Sequence, residues 1–404
     1  MFRLEMLPAA HGDCLWIEFG DPARPRRLLI DGGPGRTYAA LRTRVLQVPP
    51  AERRFDLLVI THIDADHIEG VVRLLQDAEA LGCTFERIWF NGRDQLDQVP
   101  DPAGEPLGAL QGEMLGMLIS DLERRTGTRV WNLGWPDGLA AIPPDGPGLP
   151  SVEFGQGLEG CRLTLLSPDH ERLLDLKDTW HKALKDARMV SGDTAALRLK
   201  LANARHLRPL GDSLGAQDDD TEEAEAEALG VPDEVPDDML GGAKEAHAAF
   251  GSDDSEANGS SIALLLDYPA ERPSVRLLLA GDAWASVLEA ALDRLPGLAP
   301  GERLALDGFK LPHHGSVRNI TASLLRRLDS ARYLVSTSGA VFGHPNARAI
   351  DLVLAEHRGE APPALLFNYQ SASTAPWSTP ERQEAEHFVA VYPPGPGQAT
   401  VLTA

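Results

Sequence analysis

Apolar positions fall in short runs separated by Gly- and Pro-rich turns, a pattern of strands with helices between them. Residues 1–7 are mostly apolar, 14–19 alternate, and 27–30 run into Asp31-Gly32-Gly33, which predicts an opening strand hairpin. Leu57-Leu58-Val59-Ile60 reads as a strand covered on both faces. It leads into THIDADHIEG (61–70), after which Val71, Val72, Leu74 and Leu75 mark the buried side of a helix. Further strands are predicted over 88–90, 162–166, 197–201, 262–266, 275–280, 308–311, 333–336, 364–367 and 388–392. Helices are predicted over 285–295 and 322–328. Residues 91–160 carry many turn residues around one amphipathic helix (107–125) and read as an insertion bordering a cleft. Strand-then-helix order combined with hairpins predicts mixed α/β layers in a single domain over 1–404.

Charge changes the picture locally. The net charge of −22 is concentrated between residues 212 and 256, where 16 acidic residues face the single Lys244. The segment 212–258 has too little apolar area to order itself and reads as a disordered acidic insertion. Global charge therefore says little about the functional site. With 43% hydrophobic residues, the remainder can bury a core, which excludes a wholly disordered chain. Cys14, Cys83 and Cys161 are too scattered for a disulfide framework or a CxxC metal knuckle, so a reducing, cytoplasmic setting is the expectation. No apolar run approaches the ~18 residues of a membrane span, and residues 1–12 lack a signal-peptide pattern.

The chemistry concentrates in His62-x-Asp64-x-Asp66-His67, four potential ligands within six residues between a buried strand and a helix. In extended chain His62 and Asp64 point the same way, and the helix start turns Asp66 and His67 toward the same region. Imidazole suits zinc, iron or nickel, and carboxylate suits manganese. Asp282 ends the strand RLLLAGD, His313 and His314 follow FKL, His344 follows the strand at 333–336, and Asp169 and His170 follow RLTLL. Ligands at the carboxyl ends of successive strands converge on one edge of a sheet.

THIDADHIEG, LLLAGDAW and LPHHGS, in that order, resemble the metallo-β-lactamase superfamily, in the flavour of the ComEC-type hydrolase domain and its stand-alone relatives. HGDCLWIEF, LLIDGG, NGSSIALLL and FGHPN support the likeness, which touches residues 1–90 and 258–346. The resemblance implies an αββα sandwich with a metal site at one edge of its two sheets. It places His62 and Asp64 at a first metal position, Asp64 standing where most members have His. Asp66 and His67 fall at a second position, with Asp282 bridging and one of His313 or His314 as the last ligand. The family's middle histidine has no direct match; Asp169 and His170 lie in the right interval. His344 matches the histidine of the late His-Pro motif.

Two divalent ions, zinc or manganese by this donor set, would activate a bridging hydroxide near neutral pH. Asp66 would orient or deprotonate the water, and His344 or His313 would protonate a leaving group. The resemblance points to a phosphodiester in nucleic acid or a nucleotide. Lys310, Arg318, Arg326, Arg327 and Arg332, with Arg53, Arg54 and Arg73 beside the metal loop, are candidate phosphate contacts. One alternative is hydrolysis of a small ester, lactone or amide in an apolar pocket lined by Phe90, Trp131 or Trp135. Another is a sensor or partner-binding module on a structural metal core, with the acidic segment as an autoinhibitory strand. Protein partners and oligomeric state leave no signature in the sequence.

Overall fold

The computed structural model describes residues 1–96, 109–146, 148–155, 160–186, 193–203, 252–299 and 301–403. The expected acidic insertion lies outside these residues except for its last few, 252–258, and so does the start of the helix expected over 107–125, which is described as Ala109–Thr126.

The chain is mixed α/β, as its pattern predicts. One sheet has the order Thr400–Thr403, Phe2–Met6, Leu15–Phe19, Arg26–Ile30, Leu57–Val59, Ile88–Trp89. Its hairpin strands are antiparallel, and the last three run parallel. The other sheet has eight strands. Ser151–Phe154, Cys161–Ser167, Ala263–Tyr268 and Val275–Leu279 are antiparallel neighbours, while Gly308–Lys310, Arg332–Val335, Ala364–Phe367 and Val389–Val391 continue in parallel.

Strand alternation decides what each face of the first sheet buries. Leu4, Met6, Ile17, Leu28, Ile30, Leu57 and Val59 enter one core with Leu163, Leu165, Leu264, Leu266, Leu277 and Leu279 of the second sheet. Ring contacts of Phe2 and Phe19 with Tyr268, at 5.7 and 5.4 Å, show the two sheets packed on each other. Trp16, Leu29, Leu58 and Ile60 take the other parity and pack beneath helices Tyr38–Leu46, Ala65–Leu81 and Ala109–Thr126.

Helix Ala65–Leu81 sits very close to the turn Asp31-Gly32-Gly33. A Cβ on Gly70 would fall 2.0 Å from the Gly32 carbonyl oxygen, so only glycine permits this approach. The strand expected over 197–201 is instead part of helix Thr194–Asn203. Leu197, Leu199 and Leu201 imitate strand alternation, but Leu197 and Leu201 also share a helix face four residues apart; they are buried while Leu199 is exposed. The three cysteines are free and buried, and no helix among the described residues is long and apolar enough to cross a membrane.

Candidate metal centre

Parallel strands of both sheets end at one edge. Arg26–Ile30 leads to Asp31, Leu57–Val59 to Thr61 and His62, Val275–Leu279 to Asp282, and Gly308–Lys310 to His313 and His314. Antiparallel strands start at the same edge, which adds Asp13 ahead of Leu15–Phe19 and Asn258 and Ser261 ahead of Ala263–Tyr268. Backbone bonds stitch the two sheets together there: Ile262 N–H donates to the Thr61 carbonyl at 2.8 Å, and Ser338 N–H to Ala10 at 2.7 Å.

Four donor atoms converge at this edge. His67 Nε2 lies 3.3 Å from His314 Nε2, 3.5 Å from Asp282 Oδ2 and 3.8 Å from Asp66 Oδ2. His314 Nε2 lies 3.3 Å from Asp66 Oδ2 and 3.5 Å from Asp282 Oδ2. Donors about 2.0–2.2 Å from one tetrahedral ion stand about 3.3–3.6 Å apart, so this spacing fits a divalent cation. This buried cluster of Asp and His side chains thus offers a place for a metal ion, and Asp13, buried beside it, has a donor atom within 4.8 Å of those of His67, Asp282 and His314.

Both imidazoles are held from behind. Asp31 accepts from Thr61 N–H at 2.8 Å and Thr61 Oγ1 at 2.7 Å, and its Oδ2 meets His67 Nδ1 at 2.8 Å. His314 Nδ1 donates to the Ser336 carbonyl at 2.9 Å. Such bonds fix the ring so that Nε2 faces the cage. His313 and His314 both have positive φ, 45° and 54°, a cramped turn that sends the neighbouring rings in different directions.

The electrostatics show a cluster short of positive charge. Burial would lower the pKa of His314, but Asp282 and Asp13 outweigh it and push the value up to about 9. His67 is likewise raised well above its ordinary range against burial, by Asp282, Asp66 and Asp31. Burial would raise Asp282, yet His314, His67 and His313 hold it well below the usual carboxylate range.

His62 and Asp64 form a separate pair, 3.5 Å apart, with Asp64 40% exposed. His62 Nε2 is buried without a hydrogen-bond partner among the described residues, while its ring lies 4.2 Å from that of His67. Asp64 occupies the N-cap position of Ala65–Leu81, but its side chain makes no cap bond and is left available.

His313 joins a polar network instead of the cage. Its Nδ1 lies 3.0 Å from Asn319 Oδ1 and 3.4 Å from Asp253 Oδ2, and its Nε2 lies 3.9 Å from Asp282 Oδ2. Asn319 Nδ2 donates to Asp253 at 2.7 Å and to the Asp282 carbonyl at 3.1 Å, and Asn258 Nδ2 donates to Asp253 at 2.8 Å.

Other expected residues go elsewhere. Asp169 accepts from Arg172 N–H at 2.9 Å, capping helix His170–Asp186, and neither Asp169 nor His170 contacts the cluster among the described residues. The physical reason is local: a carboxylate at a helix start finds free N–H groups within its own turn. His344 does reach the rim, 5.3 Å ring to ring from His313. Burial, then His313 and His314, push its pKa down to about 3, which leaves it without a proton to donate near neutral pH.

The basic residues mostly serve the scaffold. Lys310 is fully buried, Arg54 pairs with Asp56 and Glu86, Arg326 with Glu356, Arg327 with Asp293, and Arg73 binds the Gly35 carbonyl. Arg53 and Arg332 bind carbonyls, which leaves Arg318, exposed beside Asp253 in a cavity of about 370 Å³. Phe90 and Trp135 are core residues, and Trp131 donates to the Phe90 carbonyl at 2.8 Å and lines a cavity of about 100 Å³ with Gly116 and Met117, apart from the cluster.

Sequence reasoning missed Asp13, Asp31, Asp253, Asn258 and Asn319. Asp13 and Asp31 stand beside strand ends in HGDC and LLIDGG, and that placement was the available signal. No protein-family model matches the chain, and no curated protein matches it.

Proposed function

We propose that the chain is a metal-dependent hydrolase of phosphodiesters, built as an αββα sandwich of the metallo-β-lactamase kind. The observation that carries this reading is the spacing of the four donors of Asp66, His67, Asp282 and His314, five of whose mutual separations lie between 3.3 and 3.8 Å. The donor set, two imidazoles and two carboxylates, suits zinc and also admits manganese. His62 and Asp64 would hold a second ion at the exposed side. Divalent ions held there would supply Lewis acidity toward a phosphoryl oxygen and would lower the pKa of water.

The remaining chemistry belongs to the chain. Asp66 stays anionic against burial because His67 and His314 face it, so it orients water by accepting a hydrogen bond. His313 is the proton donor in this arrangement. The Asp253, Asn258 and Asn319 network grips Nδ1, and Nε2 faces the reaction side. Its pKa is raised, since Asp282 and Asp253 outweigh burial. His344, neutral, meets the His313 ring edge to face at 5.3 Å. Arg318, exposed beside Asp253, is the basic side chain that would meet an anionic substrate.

Metal analysis of purified protein with a manganese- and zinc-supplemented assay on bis-p-nitrophenyl phosphate tests the reading. His67→Ala and Asp282→Ala lose both bound metal and turnover; turnover retained in both variants would overturn it.

A further inference from the structure

Lys310 is the least expected member of the cluster. It ends strand Gly308–Lys310, two residues before the turn that carries His313 and His314, and its side chain is fully buried. Its ammonium pairs with Asp13 Oδ2, lies 3.2 Å from the Gly281 carbonyl, and stands 3.8 Å from Asp282 Oδ1. Asp13 and the Gly281 carbonyl thus take up N–H groups of the ammonium, while Asp282 Oδ1, a buried oxygen with no hydrogen-bond partner among the described residues, faces it as an ion pair. Asp13 is buried as well, and its other oxygen lies 3.4 Å from His314 Nδ1.

Asp13 belongs by distance to the candidate ligand group, whose donor atoms all lie within 4.8 Å of one another. Asp282 likewise presents one oxygen to the cage and turns the other toward Lys310. With no cation at the Lys310 position, either free carboxylate oxygen would be drawn to a nearby metal. We infer that Lys310 selects the donor set: its ammonium keeps Asp13 and the second oxygen of Asp282 out of the ion's coordination. The ion is left with two nitrogens and two oxygens. Extra oxygen donors would raise the coordination number and favour harder, six-coordinate ions such as manganese over zinc. Lys310 is therefore a positioning residue that sets metal preference, and this inference rests on the metal-centre reading above.

The test uses the full chain loaded with cobalt(II), whose visible bands report coordination number, as wild type, Asp13→Asn, Lys310→Met and the double variant. Wild type and Asp13→Asn give the same intense spectrum, because Asp13 is not a ligand. Lys310→Met weakens the bands and, in zinc–manganese competition, shifts the retained metal toward manganese; the double variant, which removes Asp13 but leaves the second oxygen of Asp282 free, restores both properties in part. A merely structural Lys310–Asp13 pair would change stability without shifting the zinc–manganese preference.

Loss of intensity in Asp13→Asn overturns the inference, and so does an unchanged spectrum in a folded Lys310→Met. If Lys310→Met does not fold, the comparison of wild type with Asp13→Asn still decides whether Asp13 is a ligand. A wild type that binds no cobalt, zinc or manganese overturns the metal-centre reading itself, and this inference with it. Metal bound in wild type with the wrong variant pattern overturns only the role of Lys310.

Discussion

The two halves of the cluster are built differently. Asp66, His67, Asp282 and His314 come from both sheets, are buried or nearly so, and have their imidazoles braced by Asp31 and Ser336. His62 and Asp64 come from one loop, present two donors only, and leave Asp64 open to solvent. An enclosed site whose ligands are already oriented costs little to organise around an ion, whereas an exposed pair must hold its geometry unaided. On the proposed reading the buried half would be the tighter metal position, and the exposed half a weaker one on the side of substrate and water.

The sharpest way to break this contrast is His62→Ala. It should abolish turnover and remove the weaker ion while the buried ion remains through dialysis, as read by metal analysis. Loss of both ions together would show that the halves are one site. A smaller effect is expected for Asp31→Asn, which weakens the grip on His67 without touching a donor. Metal affinity at the buried position should fall about 10–100-fold in a chelator competition.

The smallest effect is on pH dependence. With the folded pKa of His314 raised from 6.5 to about 9, its proton stabilises the ion-free fold fully below pH 6.5, and that contribution is lost as pH rises through 9. A metal ion competes with the same proton. The rise in melting temperature on adding zinc should therefore grow between pH 6.5 and 9; a constant or shrinking rise would remove His314 from the coordination.

Much of this cluster was legible because its candidate donors are dense in sequence. Asp66 and His67 sit at a helix start directly after a buried strand, and Asp282 and His314 follow strands that end at the same edge. The choice between His313 and His314 was not legible, because it depends on two consecutive positive φ angles. Asp31, Asp13 and Asp253 escaped for another reason. Each matters only through a partner distant in the chain, such as the 36 residues between Asp31 and His67. Lys310 looked like a surface base because lysine is rarely buried unless paired, and its pair, Asp13, lies in the first hairpin. Asp169 shows the opposite error, a carboxylate at a strand end whose nearest donors belong to its own helix. The alternating leucines at 197–201 fit two periods at once, and only packing against the neighbouring helices chooses between them.

The most direct measurement is the metal content, after dialysis, of His314→Ala beside His313→Ala. His314→Ala should emerge without its buried ion, while His313→Ala should retain it and still fail to turn over substrate. An ion kept by His314→Ala and lost by His313→Ala would contradict the account.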